Sequence, residues 1–266
     1  MPAGLSREVL VNGAPLGDRF VAFLGEQKSG EWLSAVDVFG PALPGLLSAL
    51  GQSRGTDNLA VAAALLFEQY AQRLVAPALA AFYLDGRVVD SSLHTVRVKM
   101  VDAHVRRLAF TGDSRASPAC SEEARGALVH GLLAENLEVA AEMIRHRSRV
   151  SGRTLRGTIA NAIASTLLHM SWPDPDRARY VREARVLLAS SPNLADLVTV
   201  EAVASLEHRW MYTKRRTCCL AFRTATNQAR EQPFCSACPV LPDSTTLALF
   251  ARATAVYAAA HPGATA

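Results

Sequence analysis

The sequence predicts a mainly α protein of the α+β class, with a bundle-like helical core and a small antiparallel sheet. Three observations lead there. Half of the residues are hydrophobic but only 6% are aromatic, so Ala and Leu must supply the core. Tight small-residue packing of that kind favours helices over sandwiches. Several segments carry apolar residues at helical spacing between caps and breakers, and one segment switches to a period of two.

Taken in order, "VLVNGAPLG" carries an Asn-Gly turn signal and reads as a small hairpin. "DRFVAFLGEQ" and "LPGLLSALGQ" read as short helices, the second opened by Pro44 and closed near Gly51. From Asp57 to Ala81 the pattern is helical, with Pro77 expected to break or kink it. "AFYLDGRVVDSSLHTVRVKMV" places a turn at Asp85–Gly86. It then alternates Val96, Val98 and Met100 with Arg97, Lys99 and Val101, as a hairpin or meander with one polar face would.

The clearest helix starts at Ser121, a capping residue followed by Glu122 and Glu123. It ends among Arg145, Arg147 and Arg149, so both charge signs suit the helix dipole. Leu128, Leu132, Leu133, Leu137 and Ala141 form its apolar face. "TLRGTIANAIASTLLHM" is apolar nearly all round and is therefore expected to be buried, with Asn161 as a core amide that fixes helix packing. "PDRARYVREARVLLASS", "LADLVTVEAVASLEHRW" and "STTLALFARATAVYAAA" continue the helical series, the last capped by Ser244 and stopped by Pro262.

The net charge of +4 is modest, but its distribution is uneven. Six basic residues and no acid lie between His208 and Arg230, and five arginines and no acid between Met143 and Arg156. No nucleic-acid-binding motif accompanies them, so no nucleic-acid partner is expected. The longest apolar run, Leu59 to Phe67, is too short to span a bilayer. "MPAGLSREVLVNGAPLGDRF" has charges where a secretion signal would be apolar. The expectation is a cytoplasmic protein, at most peripheral at the inner face of the membrane. No Ser-His-Asp set, phosphate loop or flavin or nicotinamide fingerprint is present, and the seven histidines lack ligand spacing.

Four of the five cysteines fall inside 21 residues: Cys218, Cys219, Cys235 and Cys238, in the pattern C-C-x15-C-x2-C. In a reducing compartment such clusters point to metal or redox chemistry rather than to disulfides. Four thiolates suit a soft centre, either an iron–sulfur cluster or a zinc ion, and a redox dithiol is a third candidate. Neighbouring side chains diverge by about 100° in a helix and about half a turn in a strand. An adjacent pair is therefore easier to share between two irons than to aim at one zinc. Cys120 stands apart before a helix cap and reads as a bystander.

"RRTCCLAFR" followed by "CSACP" resembles the C-terminal signature of the FhuF family of ferric-siderophore reductases, whose members carry C-C-x10-C-x2-C. Arg216, Leu220, Phe222, Arg223 and Pro239 fit the flanking pattern, and "GTIANAIASTL" around Asn161 is similar to a weaker upstream Gly-Asn feature. The resemblance implies a 2Fe-2S cluster on Cys218, Cys219, Cys235 and Cys238. It also implies one-electron reduction of siderophore-bound Fe(III), of hydroxamate type, with release of Fe(II). A ferredoxin or an NAD(P)H-dependent reductase would supply the electron. Arg215, Arg216 and Arg223 would tune the cluster or dock a partner. The division expected is an N-terminal helical domain over 1–205 and a cluster-binding region over 206–266. The alternative is a siderophore-binding or structural protein with a zinc site on the same four cysteines and no redox activity. The loop between the cysteine pairs is five residues longer than the family's. Such lengthening costs little, about 0.6 kcal/mol per doubling.

Overall fold

The computed structural model describes residues 14–27, 32–116, 121–205 and 208–262. The "VLVNGAPLG" hairpin expectation and Cys120 fall mostly or wholly outside them. The chain divides into two compact units, Met1–Gly152 and Arg153–Ala266. The boundary expected at 205 falls inside the second unit, at the end of a strand.

In the first unit, two short 3-10 turns (Ala14–Leu16 and Asp18–Phe20) lead to strand β1 (Phe23–Leu24), where a helix was expected. Strand β2 (Trp32–Ser34), helix α1 (Ala35–Phe39), helix α2 (Leu43–Arg54) and helix α3 (Leu59–Asp85) follow. Pro44 sits in the first turn of α2, which runs past Gly51 to a left-handed cap at Gly55. Asn58 caps α3, accepting the N–H groups of Ala60 and Val61. Helix α3 continues through Pro77 to Asp85. The lost backbone bond is outweighed by burial along most of the helix, from Val61 to Phe82.

Gly86 is the left-handed cap of α3, donating to Ala81 O, so the Asp-Gly pair closes a helix and not a hairpin. Strands β3 (Arg87–Val89), β4 (Val96–Val101), β5 (His104–Phe110) and β6 (Ser114–Ala116) complete the small sheets. The hairpin turn lies instead at Asp102–Ala103, both with positive φ, between β4 and β5. One sheet runs β1-β5-β4-β2, and β3 pairs with β6. Helix α3 packs on β5, α2 and α5.

Ser121 caps α4 (Glu122–Val129) as expected. The helical path then loosens into a π-helical stretch (His130–Leu137) before α5 (Glu138–Ser148). Leu128, Leu132, Leu133 and Leu137 are buried, and the stripe goes on through Ala140 and Ile144, because the wider turn rotates the face. Asn136 lies in that stretch. It accepts from Tyr70 Oη at 2.8 Å and donates to Ser91 O at 2.6 Å.

The second unit begins at helix α6 (Gly152–Ser171), buried along most of its length, and helix α7 (Arg177–Ala189), capped by Asp176. The segment expected to be the next helix is a hairpin, β7 (Val198–Ser205) with β8 (His208–Arg215). Helix α7 packs on both strands. A single-turn helix α8 (Ala225–Gln228) interrupts the cysteine segment, and α9 (Asp243–Ala260) closes the fold. The residue at the N-cap of α9 is Pro242, with no side-chain cap, and not Ser244. Trp210, fully buried, meets Trp172 and Tyr257 edge-on under the Arg177 guanidinium, so both tryptophans serve packing. No described helix is long and apolar enough to cross a membrane.

Candidate metal centre

Strand β8 delivers the chain to the cysteines. Its pairing sets Val198 opposite Arg215, and the Arg216 N–H continues the connection to Leu197 O at 2.9 Å. The Arg215 N–H donates to Ala237 O at 3.1 Å, which ties the entry of the segment to its C-x-x-C turn. Lys214 Nζ donates to Leu241 O at 2.8 Å and pairs with Asp243 at the start of α9. Between these anchors, Phe222 and Phe234 pack with ring centroids 5.5 Å apart, drawing the two cysteine pairs toward each other.

Thr217, 7% exposed, is seated against α6 at Gly157. A Cβ on Gly157 would lie 1.7 Å from Thr217 Oγ1 and 2.6 Å from its Cβ. Only glycine permits that approach, and the next residue is Cys218. Asn161 lies one helical turn beyond Gly157 on the same side of α6 and is 7% exposed.

Leu220 adopts a left-handed backbone (φ 65°), and its N–H donates to Cys218 Sγ at 3.3 Å. The second pair is a tight turn in which the Cys238 N–H donates to Cys235 O at 3.0 Å. Cys238 is buried, Cys218 and Cys219 are half-buried and Cys235 is exposed. The thiols influence one another. Burial raises the Cys218 pKa, opposed by the Leu220 N–H, with Cys219 and Cys238 raising it further and Arg215 lowering it. The Cys235 thiol is raised first by its hydrogen bond with Cys219, and it too senses Cys238 and Arg215. Cys218 and Cys235 thus both sense Cys219, Cys238 and Arg215, which is 3% exposed. Arg216 and Arg223 are exposed, with Arg216 Nε donating to Thr199 Oγ1 at 3.1 Å and the Arg223 guanidinium over the Phe222 ring.

Among the described residues, no three His, Cys, Asp or Glu side chains form a group that could hold a metal ion as they stand. The donor set nevertheless fits a soft iron–sulfur centre. It is purely sulfur, carries a backbone N–H aimed at one sulfur, and has a buried cation beside it. Sequence reasoning singled out the four cysteines as candidates, and it missed the Gly157 seat, the Phe222–Phe234 contact and the burial of Arg215. A glycine inside an otherwise apolar helix was the available signal for the first.

These features define a small α+β protein with a four-thiol segment hung between a β-hairpin and a C-terminal helix. The chain belongs to the family described as ferric iron reductase FhuF-like transporter, which matches residues 64–202, from α3 into β7 and ahead of the cysteines. No curated protein matches the chain. Among solved structures, the ATP-bound aerobactin synthetase IucA of a hypervirulent Klebsiella pneumoniae pathotype matches at 16% identity and TM-score 0.45. That match covers 54% of this chain and 32% of the other. A second structure of IucA matches at 15% and 0.43, covering 51% and 29%. Aerobactin synthetase IucC from the same source matches at 12% and 0.39, covering 60% and 31%. The chain spans about a third of the length of these structures.

Proposed function

We propose that the protein is a ferric-siderophore reductase, with Cys218, Cys219, Cys235 and Cys238 holding a 2Fe-2S cluster. Membership of the family supports the link to ferric iron. The observation that carries the reading is four thiols on one short segment whose entry is tied to its C-x-x-C turn by the bond from the Arg215 N–H to Ala237 O. On these four thiols a 2Fe-2S cluster would supply single electrons to ferric iron presented by a siderophore. Ferrous iron, larger and less charged, is bound less tightly by hydroxamate oxygens and leaves.

The chain's own residues set the conditions. The Cys218 and Cys235 thiols have raised pKa values, so both are protonated at neutral pH in the metal-free chain and release protons on loading. The Leu220 N–H and the Arg215 guanidinium stabilise negative charge on sulfur, which favours the more reduced state. Cys238 is buried and Cys235 exposed, so substrate would approach from the Cys235 side. Arg223, exposed beside the segment, suits an acidic electron donor such as a ferredoxin.

The test is anaerobic purification followed by iron, zinc and acid-labile sulfide analysis, visible spectra and paramagnetic resonance after dithionite. Two irons and two sulfides per chain, lost in Cys218→Ser and Cys238→Ser, with reoxidation on adding a ferric siderophore, are expected. One zinc and no sulfide would replace this reading with a structural site.

A further inference from the structure

A second candidate site lies in the same unit. A cleft of about 230 Å³ opens among Arg185, Leu188, Ala195, Val198, Thr199, Val200, Glu201 and Arg216. Leu188, Val198 and Val200 give it an apolar side. Two guanidiniums border it. Arg185, from α7, is anchored by Nη2 to Val200 O at 3.0 Å, and Arg216, after β8, by Nε to Thr199 Oγ1 at 3.1 Å. Each guanidinium makes one such hydrogen bond, and among the described residues neither forms an ion pair, so each keeps further N–H donors. Glu201 is the single acid lining the cleft, against two cations.

We propose that this cleft binds a carboxylate carried on a short carbon skeleton, the anionic arm of the iron ligand, and seats it beside the cysteine segment. This rests on the reductase reading, because Arg216 is separated from Cys218 by Thr217 alone. Two guanidinium forks match the planar oxygens of a carboxylate. The apolar side of the lining is covered by a carbon chain but not by a free, fully hydrated phosphate. The volume admits a group of only a few heavy atoms, below the roughly 300–1,000 Å³ of drug-sized pockets.

Calorimetric titration of the full chain with butyrate at low ionic strength tests the site, with butyramide and inorganic phosphate as comparisons. Butyrate is expected to bind and butyramide not to. Arg185→Gln and Arg216→Gln should each weaken butyrate by about tenfold or more, as loss of a charged hydrogen bond does. Arg182→Gln, an exposed neighbour on α7 that pairs with Asp176, should leave binding unchanged. Unchanged melting temperatures separate lost binding from lost folding. No butyrate binding by the wild type, equal binding by both cleft variants, or phosphate binding as tightly as butyrate overturns the assignment. Butyrate binding requires no iron, so failure here is distinct from failure of the cluster analysis.

Discussion

Gly157→Ala is the most direct probe of how α6 holds the cysteine segment. The new methyl would sit 1.7 Å from Thr217 Oγ1, 2.6 Å from Thr217 Cβ and 2.9 Å from Cγ2. A rotamer change moves Oγ1 and Cγ2 aside but not Cβ, so the backbones must part. Overpacking of this kind costs about 1–3 kcal/mol, and the contact with Cβ puts this site at the upper end. Alanine returns about 1 kcal/mol in helix propensity, leaving a net loss of about 2 kcal/mol. For a unit of this size that lowers the melting temperature by on the order of 5–10 °C. Differential scanning calorimetry measures the shift, and iron and sulfide content report whether Cys218 has moved. Adding Thr217→Gly removes every clashing atom and should recover much of the lost stability. If Gly157→Ala melts at or above the wild-type temperature, the close approach is not a constraint and α6 does not position the segment.

Further expectations concern both units. Tyr70→Phe leaves the buried Asn136 Oδ1 without its donor and should destabilise the first unit by about 1–3 kcal/mol in urea titrations. Burial raises the Tyr70 pKa. The neutral phenol is the folded form, so this contribution is whole below pH 10 and is lost as pH rises above it. Wild-type stability should therefore fall at alkaline pH, more steeply than that of the phenylalanine variant. Arg215→Met removes the cation that lowers the Cys218 and Cys235 pKa values. Alkylation of metal-free protein at pH 8 should slow, by up to about tenfold for a shift of one pKa unit. An unchanged rate would remove Arg215 from the thiol electrostatics. Asn58→Ala should cost about 1 kcal/mol by uncapping α3, measured by the same urea titration.

What could be read in advance follows from where local chemistry and tertiary packing agree. The Ser121 cap with Glu122 and Glu123, and the all-round apolar α6, were legible because cap, dipole and burial point the same way. The β7–β8 hairpin was not. Leu194, Leu197 and Val198 satisfy helical spacing, but Val198, Thr199, Val200 and Val203 prefer a pleated surface. The partner strand, with Trp210 to Thr213 buried, decides the outcome. Asp85–Gly86 misled because a left-handed glycine serves a helix end as well as a hairpin, while the actual turn places Ala103, a residue rarely chosen for positive φ, at its second position. In the candidate site the cysteines announced themselves by type. Arg215 did not, since a charge run reads as surface until the strand register turns one member inward.

The two backbone and lysine ties at the neck of the cysteine excursion, Arg215 to Ala237 and Lys214 to Leu241, have a consequence for how such chains vary. With the neck laced shut, residues near the tip, around Ala229 to Gln232, are exposed and add contour without shifting the bases of the loop. Length there is free to drift, and the same tip is where a reporter peptide can be spliced while the sulfurs keep their spacing.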